Sequence, residues 1–296
     1  MGKIAVGASS FGVSNEDAVK LLEEHGHTVV KNPYGRKLTV QETIEHLEGA
    51  VGLLAGLEQL DGEVFRNAPE LKAVARIGIG TDNVNFEDAK KYNIRVSNTP
   101  EAPTYAVAEM TLAALLSVAR RVIPANENTH ARMWKKQLGF SIRGSVILLI
   151  GYGRIARTFA ELLKPFGAEI LVHDNAVFEN NGTLEELLPK AGVISLHASG
   201  KDAILSQNEF SYIKKGAVLL NSARGTLVDE TALISALKDG TLSFYWGDVF
   251  SSEPYDGELC DLKNAVLTPH ISTYTKSCRE DMELQAARNL LKDLEL

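Results

Sequence analysis

The stretch Val-Ile-Leu-Leu-Ile-Gly-Tyr-Gly-Arg-Ile-Ala, residues 146–156, decides the fold of this chain. Its five aliphatic residues predict a buried strand, and its glycines lead directly into a helix predicted over 155–166. In such a strand–turn–helix unit, Gly151 permits the tight turn and Gly153 lets a pyrophosphate approach the backbone. The N–H groups and dipole at the start of the helix favour an anion there. The segment therefore predicts a dinucleotide-binding βαβ unit.

Asp174 follows the next predicted strand, close to the position expected of a carboxylate that binds the ribose hydroxyls. A carboxylate there would repel the 2′-phosphate of NADP, so the sequence favours NAD. A methyltransferase or a plain tight turn would also explain the two glycines by themselves. The strand, the helix and Asp174 in register favour the dinucleotide.

Short β-branched runs alternate with helical stretches on both sides of this unit. That rhythm is typical of βαβ units in mostly parallel sheets with helices on both faces. A long, almost wholly apolar helix, predicted over 105–120, separates two such series. The fold class predicted is therefore α/β, with two doubly wound parallel-sheet domains, and 296 residues suit two domains.

Composition excludes several classes of protein. Lys and Arg number 31 against 38 Asp and Glu, a net charge of −7 without a cationic stripe, so no nucleic-acid partner is expected. The longest aliphatic run, Val146–Ile150, is far short of the ~20 residues that cross a bilayer, so no membrane partner is expected either. The absence of a signal-peptide core and of a CxxC pair favours a cytoplasmic protein. No cluster has metal-ligand spacing, so no metal is expected.

Polar residues follow several later strands, and in a doubly wound sheet ligands bind beyond the carboxyl ends of strands. Arg224 follows one strand, and its guanidinium could bind a carboxylate bidentately, although a surface arginine would explain it as well. His270 follows another strand and suits proton transfer, although a lone histidine is usually structural. His197 is interpreted as a packing residue or as part of the cofactor wall.

Six motifs in order make the chain resemble the D-isomer-specific 2-hydroxyacid dehydrogenases, most closely their D-3-phosphoglycerate dehydrogenase-like branch. The resemblance covers nearly the whole length. It rests on residues 76–84, on 98–100 leading to 106–109, on the glycine fingerprint, and on residues 221–230, 248–254 and 268–270.

The resemblance implies roles for the matching residues. Arg224 would hold the carboxylate and carbonyl of the substrate, His270 would be the general acid/base, and Glu253 would be its partner. The cofactor-binding residues implied are Gly151, Gly153, Arg154, Ile155, Asp174, His197, Ser222, Ala223 and Asp248, the last for the nicotinamide carboxamide. The substrate-binding residues are Gly78 and Ile79, through their backbone, with Arg76 and Lys136 as candidates for holding a phosphate.

The resemblance also implies an architecture with the active site in the cleft between the domains. A discontinuous, flavodoxin-like substrate-binding domain would comprise residues 1–98 and 273–296, and a Rossmann NAD-binding domain residues 99–272. Helices near 103–136 would form a homodimer.

The reaction implied is hydride transfer between nicotinamide and a D-2-hydroxy or 2-keto acid. The leading hypothesis for the substrate is 3-phosphoglycerate/3-phosphohydroxypyruvate, which would place the protein in serine biosynthesis. The alternative is hydroxypyruvate, glyoxylate or another small 2-keto acid. The alternative gains weight because phosphoglycerate enzymes often carry an arginine at the loop 55–57, where this chain has none and Glu58 follows. A third hypothesis is an NAD-responsive corepressor that binds partner peptides.

Overall fold

The computed structural model describes residues 2–295 and divides into two compact units. One unit runs to Pro103 and resumes at Thr273, and the other spans Thr104–Ser272. From the sequence, the first stretch of the discontinuous unit is predicted to end at residue 98.

Within the described residues, the first unit contains five strands and five helices. Its strands are β1 (Lys3–Val6), β2 (Thr28–Val30), β3 (Ala50–Ala55), β4 (Ala73–Arg76) and β5 (Arg95–Asn98). Four of its helices are α1 (Asp17–Glu24), α2 (Val40–Leu47), α3 (Gly62–Arg66) and α4 (Phe86–Lys91). The second unit follows, with helices α5 (Pro103–Ala119), α6 (Val122–His130), α7 (Arg154–Leu163), α8 (Leu184–Leu187), α9 (Gln207–Tyr212) and α10 (Glu230–Asp239). Its strands are β6 (Val146–Ile150), β7 (Glu169–His173), β8 (Val193–Leu196), β9 (Ala217–Asn221), β10 (Leu242–Gly247) and β11 (Ala265–Leu267). The chain then returns to the first unit with α11 (Lys276–Glu295).

Both sheets are parallel throughout, which confirms the predicted fold class. The first has the order β2-β1-β3-β4-β5 and the second the order β11-β10-β9-β8-β6-β7. In each sheet the strand order reverses beside the first strand of that unit, and ligands bind at the carboxyl ends of strands around such a point.

The core of the second unit lies on both faces of its sheet. Leu148 and Ile150 pack in one apolar cluster, whereas Ile147 and Leu149 pack in the other. Successive side chains of a strand point to opposite faces. Since both faces are covered by helices, β6 is an uninterrupted aliphatic run rather than an alternating one.

Local signals account for most of the helix boundaries. Thr39 and Glu42 form a capping box at the start of α2, each binding the backbone of the other. The short helices α3 and α4, which the sequence analysis does not predict, begin at capping side chains of Asp61 and Asn85. The sequence predicts Ser14 or Asn15 as the cap of α1. The helix begins after Glu16, whose side chain makes no capping bond, and Asn15 Oδ1 accepts from the Asp17 N–H at 3.0 Å.

His46 lies on a predicted helical segment, where the sequence favours a solvated side chain, and this prediction is wrong. Its ring is buried, and Nε2 lies 3.0 Å from the carbonyl oxygen of Val6. Among the described helices, none combines the length and the apolar character needed to cross a membrane.

Candidate active site

His270 and Glu253, which the sequence predicts to act together, are in direct contact. His270 Nδ1 lies 2.9 Å from Glu253 Oε2, and the Phe250 N–H donates to Glu253 Oε1 at 3.0 Å. Burial raises the pKa of Glu253, but the hydrogen bond to His270 and nearby positive charge outweigh it and hold that pKa below its ordinary value. An ionised Glu253 fixes the imidazole with its Nδ1 proton toward the carboxylate.

The backbone of His270 adopts the left-handed conformation, with φ at 53°. This residue follows β11 and is separated from it by Thr268 and Pro269. Its N–H donates to the carbonyl of Thr268 at 2.9 Å. A left-handed conformation is unusual for a residue that is not glycine, and such residues occur frequently at functional sites.

Asp248 holds the segment that carries His270. This buried carboxylate, just past β10, accepts from the Thr268 hydroxyl at 2.6 Å and from the Ile271 N–H at 3.0 Å. Its second oxygen accepts from both the N–H and the hydroxyl of Ser272. Four donors use the four lone-pair positions that a carboxylate offers. Asp248 therefore positions the segment that carries His270, which no sequence motif predicts. The predicted contact of Asp248 with the nicotinamide carboxamide stays a prediction.

Arg224 lies in the loop after β9, as predicted. Asn221, the fully buried last residue of β9, fixes the shape of this loop through two hydrogen bonds. Its Nδ2 donates to the Arg224 carbonyl at 2.9 Å, and its Oδ1 accepts from the Ala223 N–H at 3.0 Å. Arg224 Nη1 donates to the Ala223 carbonyl at 2.7 Å. The next residue, Gly225, passes so close to Phe250 that a Cβ would lie 2.0 Å from the Phe250 carbonyl carbon. The loops that carry Arg224 and Glu253 are therefore packed together.

Ser222, a predicted cofactor-wall residue, is tied to the long helix α5. Its hydroxyl lies 3.2 Å from the hydroxyl of Thr111, which is fully buried and donates to the Val107 carbonyl at 2.8 Å. Thr111 stands within the apolar stretch of α5. The apolar pattern of the helix does not indicate this contact of Thr111 with the loop.

The glycine turn has the geometry that a dinucleotide requires. Gly151 has φ at 85°, and a Cβ there would lie 2.5 Å from the Ala198 backbone nitrogen, so glycine is required by the protein itself. A Cβ on Gly153 would meet no protein atom within 4 Å. That open side of Gly153, at the N-terminus of α7 beside Arg154 and Ile155, fits the approach of a pyrophosphate.

Asp174 is held at the end of β7 by two backbone N–H groups. Tyr152 N–H donates to Oδ2 and Ala176 N–H donates to Oδ1, each at 2.8 Å. These hydrogen bonds lower the pKa of Asp174. The carboxylate is thus ionised beside the glycine turn and keeps acceptor positions for ribose hydroxyls.

His197 is a neutral packing residue at the end of β8. Its Nε2 lies 2.9 Å from the hydroxyl of Ser195, and its ring centroid lies 5.6 Å from that of Phe159. Burial lowers the pKa of His197 to about 4. The backbone beside it closes over Gly151, which agrees with its interpretation as part of the wall of the dinucleotide site.

In the first unit, the predicted substrate loop after β4 is rigidly tied. The Gly78 N–H donates to the Thr99 hydroxyl at 2.7 Å, and the Thr99 N–H donates back to the Gly78 carbonyl at 3.0 Å. Gly78 has φ at 141°, and a Cβ there would overlap the Arg76 guanidinium, which donates to the Ile77 carbonyl. Binding of a substrate carboxylate by Gly78 and Ile79 stays a prediction, as does binding by Arg76.

Lys136 belongs to the second unit and lies in an exposed, irregular segment after α6. Its predicted contact with a phosphate stays a prediction. Within residues 2–295, no group of three His, Cys, Asp or Glu side chains is arranged to hold a metal ion.

Comparison with known proteins places this site in a family. The family model described as D-isomer specific 2-hydroxyacid dehydrogenase, NAD binding domain, matches residues 112–272. Proteins named glyoxylate reductase from Thermococcus gammatolerans and Thermococcus litoralis are each 36% identical to the chain, over 93% of it and 89–90% of their own lengths. The crystal structure of the TT0316 protein from Thermus thermophilus has 36% identity and a TM-score of 0.90, covering 99% of this chain and 97% of that one.

A parallel sheet with a glycine turn after its first strand, together with the match to an NAD-binding family model, identifies an NAD-binding oxidoreductase. More particularly, the chain belongs to the D-isomer-specific 2-hydroxyacid dehydrogenase family, as its motifs predict. It is an NAD-dependent D-2-hydroxyacid dehydrogenase. The comparisons do not single out the phosphoglycerate branch of the family.

Proposed function

We propose that this dehydrogenase reduces glyoxylate or a similarly small, unphosphorylated 2-keto acid. The observation that carries the proposal is the contact of His270 Nδ1 with Glu253 Oε2, because it provides an oriented acid for the carbonyl oxygen. Bound NADH supplies the hydride. Since Nδ1 is held by Glu253, Nε2 is the ring atom that delivers the proton to the developing alkoxide.

Arg224 is proposed to bind the carboxylate and the carbonyl oxygen of the keto acid. Its planar fork of N–H donors matches a carboxylate, and its fixed charge stabilises the negative charge that develops on the carbonyl oxygen. The loop contacts of Asn221 with Arg224 and Ala223 support this role because they fix the backbone from which the guanidinium extends.

Two observations favour a small, unphosphorylated substrate. The relatives that are 36% identical are named glyoxylate reductase. In addition, the loop at residues 55–57 lacks the arginine that phosphoglycerate enzymes often carry there. Glu58 follows it, and its buried carboxyl group accepts from the Gly56 N–H at 3.0 Å. Burial raises the pKa of Glu58, and this loop offers no cation to a phosphate.

The test is NADH oxidation with glyoxylate, hydroxypyruvate, pyruvate and 3-phosphohydroxypyruvate in parallel. We expect kcat/KM for glyoxylate or hydroxypyruvate to exceed that for the phosphorylated acid by at least about tenfold, equivalent to ~1.4 kcal/mol. A preference for 3-phosphohydroxypyruvate would overturn the substrate class and return Arg76 and Lys136 to the role of phosphate ligands. Absence of turnover on all four acids, with NADH still bound, would favour the corepressor hypothesis.

We also propose that the enzyme is a homodimer through the region of α5 and α6. Large apolar side chains are exposed there, with Trp134 at 87% and Leu138 at 95%. Exposed apolar side chains concentrated in one segment are typical of an interface. Light scattering of the wild type should give twice the mass of the chain. Replacing both residues by lysine should give a monomer, and an unchanged dimeric mass would place the interface elsewhere.

A further inference from the structure

The segment that carries Glu253 is a short turn closed by contacts between its own residues. The Phe250 N–H donates to Glu253 Oε1 at 3.0 Å, and the other carboxylate oxygen, Oε2, contacts His270. The rings of Phe250 and Tyr255 are stacked, with centroids 4.5 Å apart and planes inclined by 20°. Glu253 therefore lies between two residues whose side chains are held together.

Tyr255 also ties this turn to helix α10. Its hydroxyl donates to Glu230 Oε1 at 2.8 Å and accepts from the Leu259 N–H at 3.3 Å. Burial and the hydrogen bond to Glu230 raise the pKa of Tyr255 to about 12, so the hydroxyl remains a donor at neutral pH. Since Glu230 is the first residue of α10, this hydrogen bond connects an irregular turn to a regular element.

Close packing fixes both partners of the ring stack. A Cβ on Gly257 would lie 2.3 Å from Tyr255 Oη, and a Cβ on Gly225 would lie 2.0 Å from the Phe250 carbonyl carbon. Tyr255 itself packs against the apolar cluster that covers one face of the second sheet. The turn is thus held at Phe250 by the loop that carries Arg224, and at Tyr255 by α10 and the core.

We propose that Tyr255 is a positioning residue, which acts on the reaction by holding the Glu253 carboxylate in place beside His270. The inference rests on the proposed function, in which Glu253 orients the imidazole. Groups on loops are held less precisely than groups on helices or strands, and a catalytic group must be held to within a fraction of an ångström. The hydrogen bond from Tyr255 to Glu230 supplies that precision.

Hydrogen exchange of the Phe250 amide, followed by NMR in the full chain, reports on this positioning without any substrate. The amide is protected by its bond to Glu253 Oε1 and exchanges when the turn opens. Tyr255→Phe keeps the stacked ring and removes only the hydroxyl, so we expect exchange at least about tenfold faster. As a matched control, Tyr212→Phe removes the hydroxyl of another half-buried tyrosine at the same apolar cluster and should leave this rate unchanged.

Steady-state kinetics with glyoxylate separate positioning from a general loss of stability. Tyr255→Phe should lower kcat by about tenfold, because a displaced Glu253 no longer holds the ring of His270. The KM for glyoxylate and the dissociation constant of NADH should change by less than about twofold, since neither depends on the proton transfer. In a Glu253→Gln background, Tyr255→Phe should lower kcat no further, because residues that act as a unit are not additive.

Variants of Glu230 test the same hydrogen bond from its other side. Glu230→Ala removes the partner of the hydroxyl and should reproduce both the faster exchange and the lower kcat. Glu230→Gln keeps an oxygen that can accept from Tyr255, so it should keep both quantities near their wild-type values. This pair of variants decides the proposal even where Tyr255→Phe fails to fold.

Two results would overturn the proposal. One is an unchanged exchange rate of the Phe250 amide in both Tyr255→Phe and Glu230→Ala. The other is a further fall in kcat when Tyr255→Phe is combined with Glu253→Gln, because Tyr255 would then act by another route. A wild type that reduces no keto acid would refute the proposed function instead, and the exchange rates would still show whether Tyr255 holds Glu253.

Discussion

Asp248 and Ser272 are joined by two hydrogen bonds, because both the backbone N–H and the hydroxyl of Ser272 donate to Asp248 Oδ2, the N–H at 2.8 Å. Together with the bonds to Thr268 and Ile271, they hold both sides of His270 to the end of β10. A catalytic acid must be positioned to within a fraction of an ångström. The general acid proposed here is thus positioned by a carboxylate that does not touch it.

Asp248→Asn tests this positioning role. The variant replaces one carboxylate oxygen by an amide N–H₂, which cannot accept, so either the two bonds from Ser272 or the bonds from Thr268 and Ile271 are lost. The segment carrying His270 should therefore shift. We expect kcat to fall by roughly 10²-fold, the cost of a displacement of about 1 Å. The dissociation constant of NADH, from fluorescence titration, should change little. If instead NADH binding weakens while kcat at saturating NADH is retained, Asp248 binds the carboxamide.

His270→Gln tests the acid itself. Glutamine can donate a hydrogen bond but cannot deliver a proton, and general acid catalysis typically contributes about 10²–10⁴-fold. We expect kcat to fall within that range in steady-state assays, with the dissociation constant of NADH unchanged. A variant with nearly full kcat would assign the proton to another group.

Glu253→Gln tests the orientation of the ring. The Glu253 carboxylate, whose pKa is held below its ordinary value, remains ionised and accepts the Nδ1 proton of His270. A glutamine amide can present its N–H₂ to Nδ1 instead, so the imidazole is no longer held in one orientation. We expect kcat to fall by roughly 10²-fold in steady-state assays, the cost of a displaced catalytic group, with the dissociation constant of NADH unchanged. A variant with nearly full kcat would show that the ring is oriented without this carboxylate.

Asp174→Ala should relax the choice of cofactor. The carboxylate, ionised because two backbone N–H groups lower its pKa, would repel a 2′-phosphate. We expect the ratio of kcat/KM for NADPH to that for NADH to rise at least about tenfold, equivalent to ~1.4 kcal/mol. As a matched control, Glu169→Ala removes an exposed carboxylate from the start of the same strand and should leave the ratio unchanged. An unchanged ratio in Asp174→Ala would exclude this residue from cofactor selection.

His197 should make stability depend on pH. Its folded-state pKa of about 4 lies below the unfolded value of about 6.5, so the unfolded chain binds more protons between these limits. The stability that neutral His197 contributes is complete above about pH 6.5 and is lost as pH falls toward 4, by at most roughly 3 kcal/mol.

His197→Gln removes this titration. Urea unfolding at several pH values should show a shallower loss of stability between pH ~6.5 and ~4 for the variant than for the wild type. His46, whose pKa burial also lowers, remains in both proteins and cancels in the comparison. Identical slopes would show that His197 is as readily protonated in the folded protein as in the unfolded chain.

The sequence predicts the strands better than the contacts between them. The apolar runs at 3–6, 146–150 and 193–196 predict strands, and β1, β6 and β8 have these bounds to the residue. Buried parallel strands are continuous apolar runs, so they can be recognised without knowledge of their partners. The short helices α3 and α4 are missed, since five or six residues hold too little periodicity to detect.

In the candidate site, too, the sequence predicts the individual residues but not most of the contacts between them. The motifs identify Arg224, Glu253 and His270 by residue type and by their order after strands. They do not reveal that Asp248 uses its four acceptor positions within the protein, that Thr111 contacts Ser222, or that Thr99 ties Gly78. These contacts join residues far apart in the chain, and hydrophobic periodicity carries no information about such partners.

The sequence by itself thus determined the α/β class, the glycine turn and the pairing of His270 with Glu253, because strand, turn and helix signals are local and the family motifs are contiguous. Only the tertiary structure decided which carboxylate holds the His270 segment and which strand α11 packs against. Parallel strands bring the ends of β10 and β11 together, and α11 reaches β5 only after the chain has completed the other unit. Both depend on how distant segments pack, which no local pattern encodes.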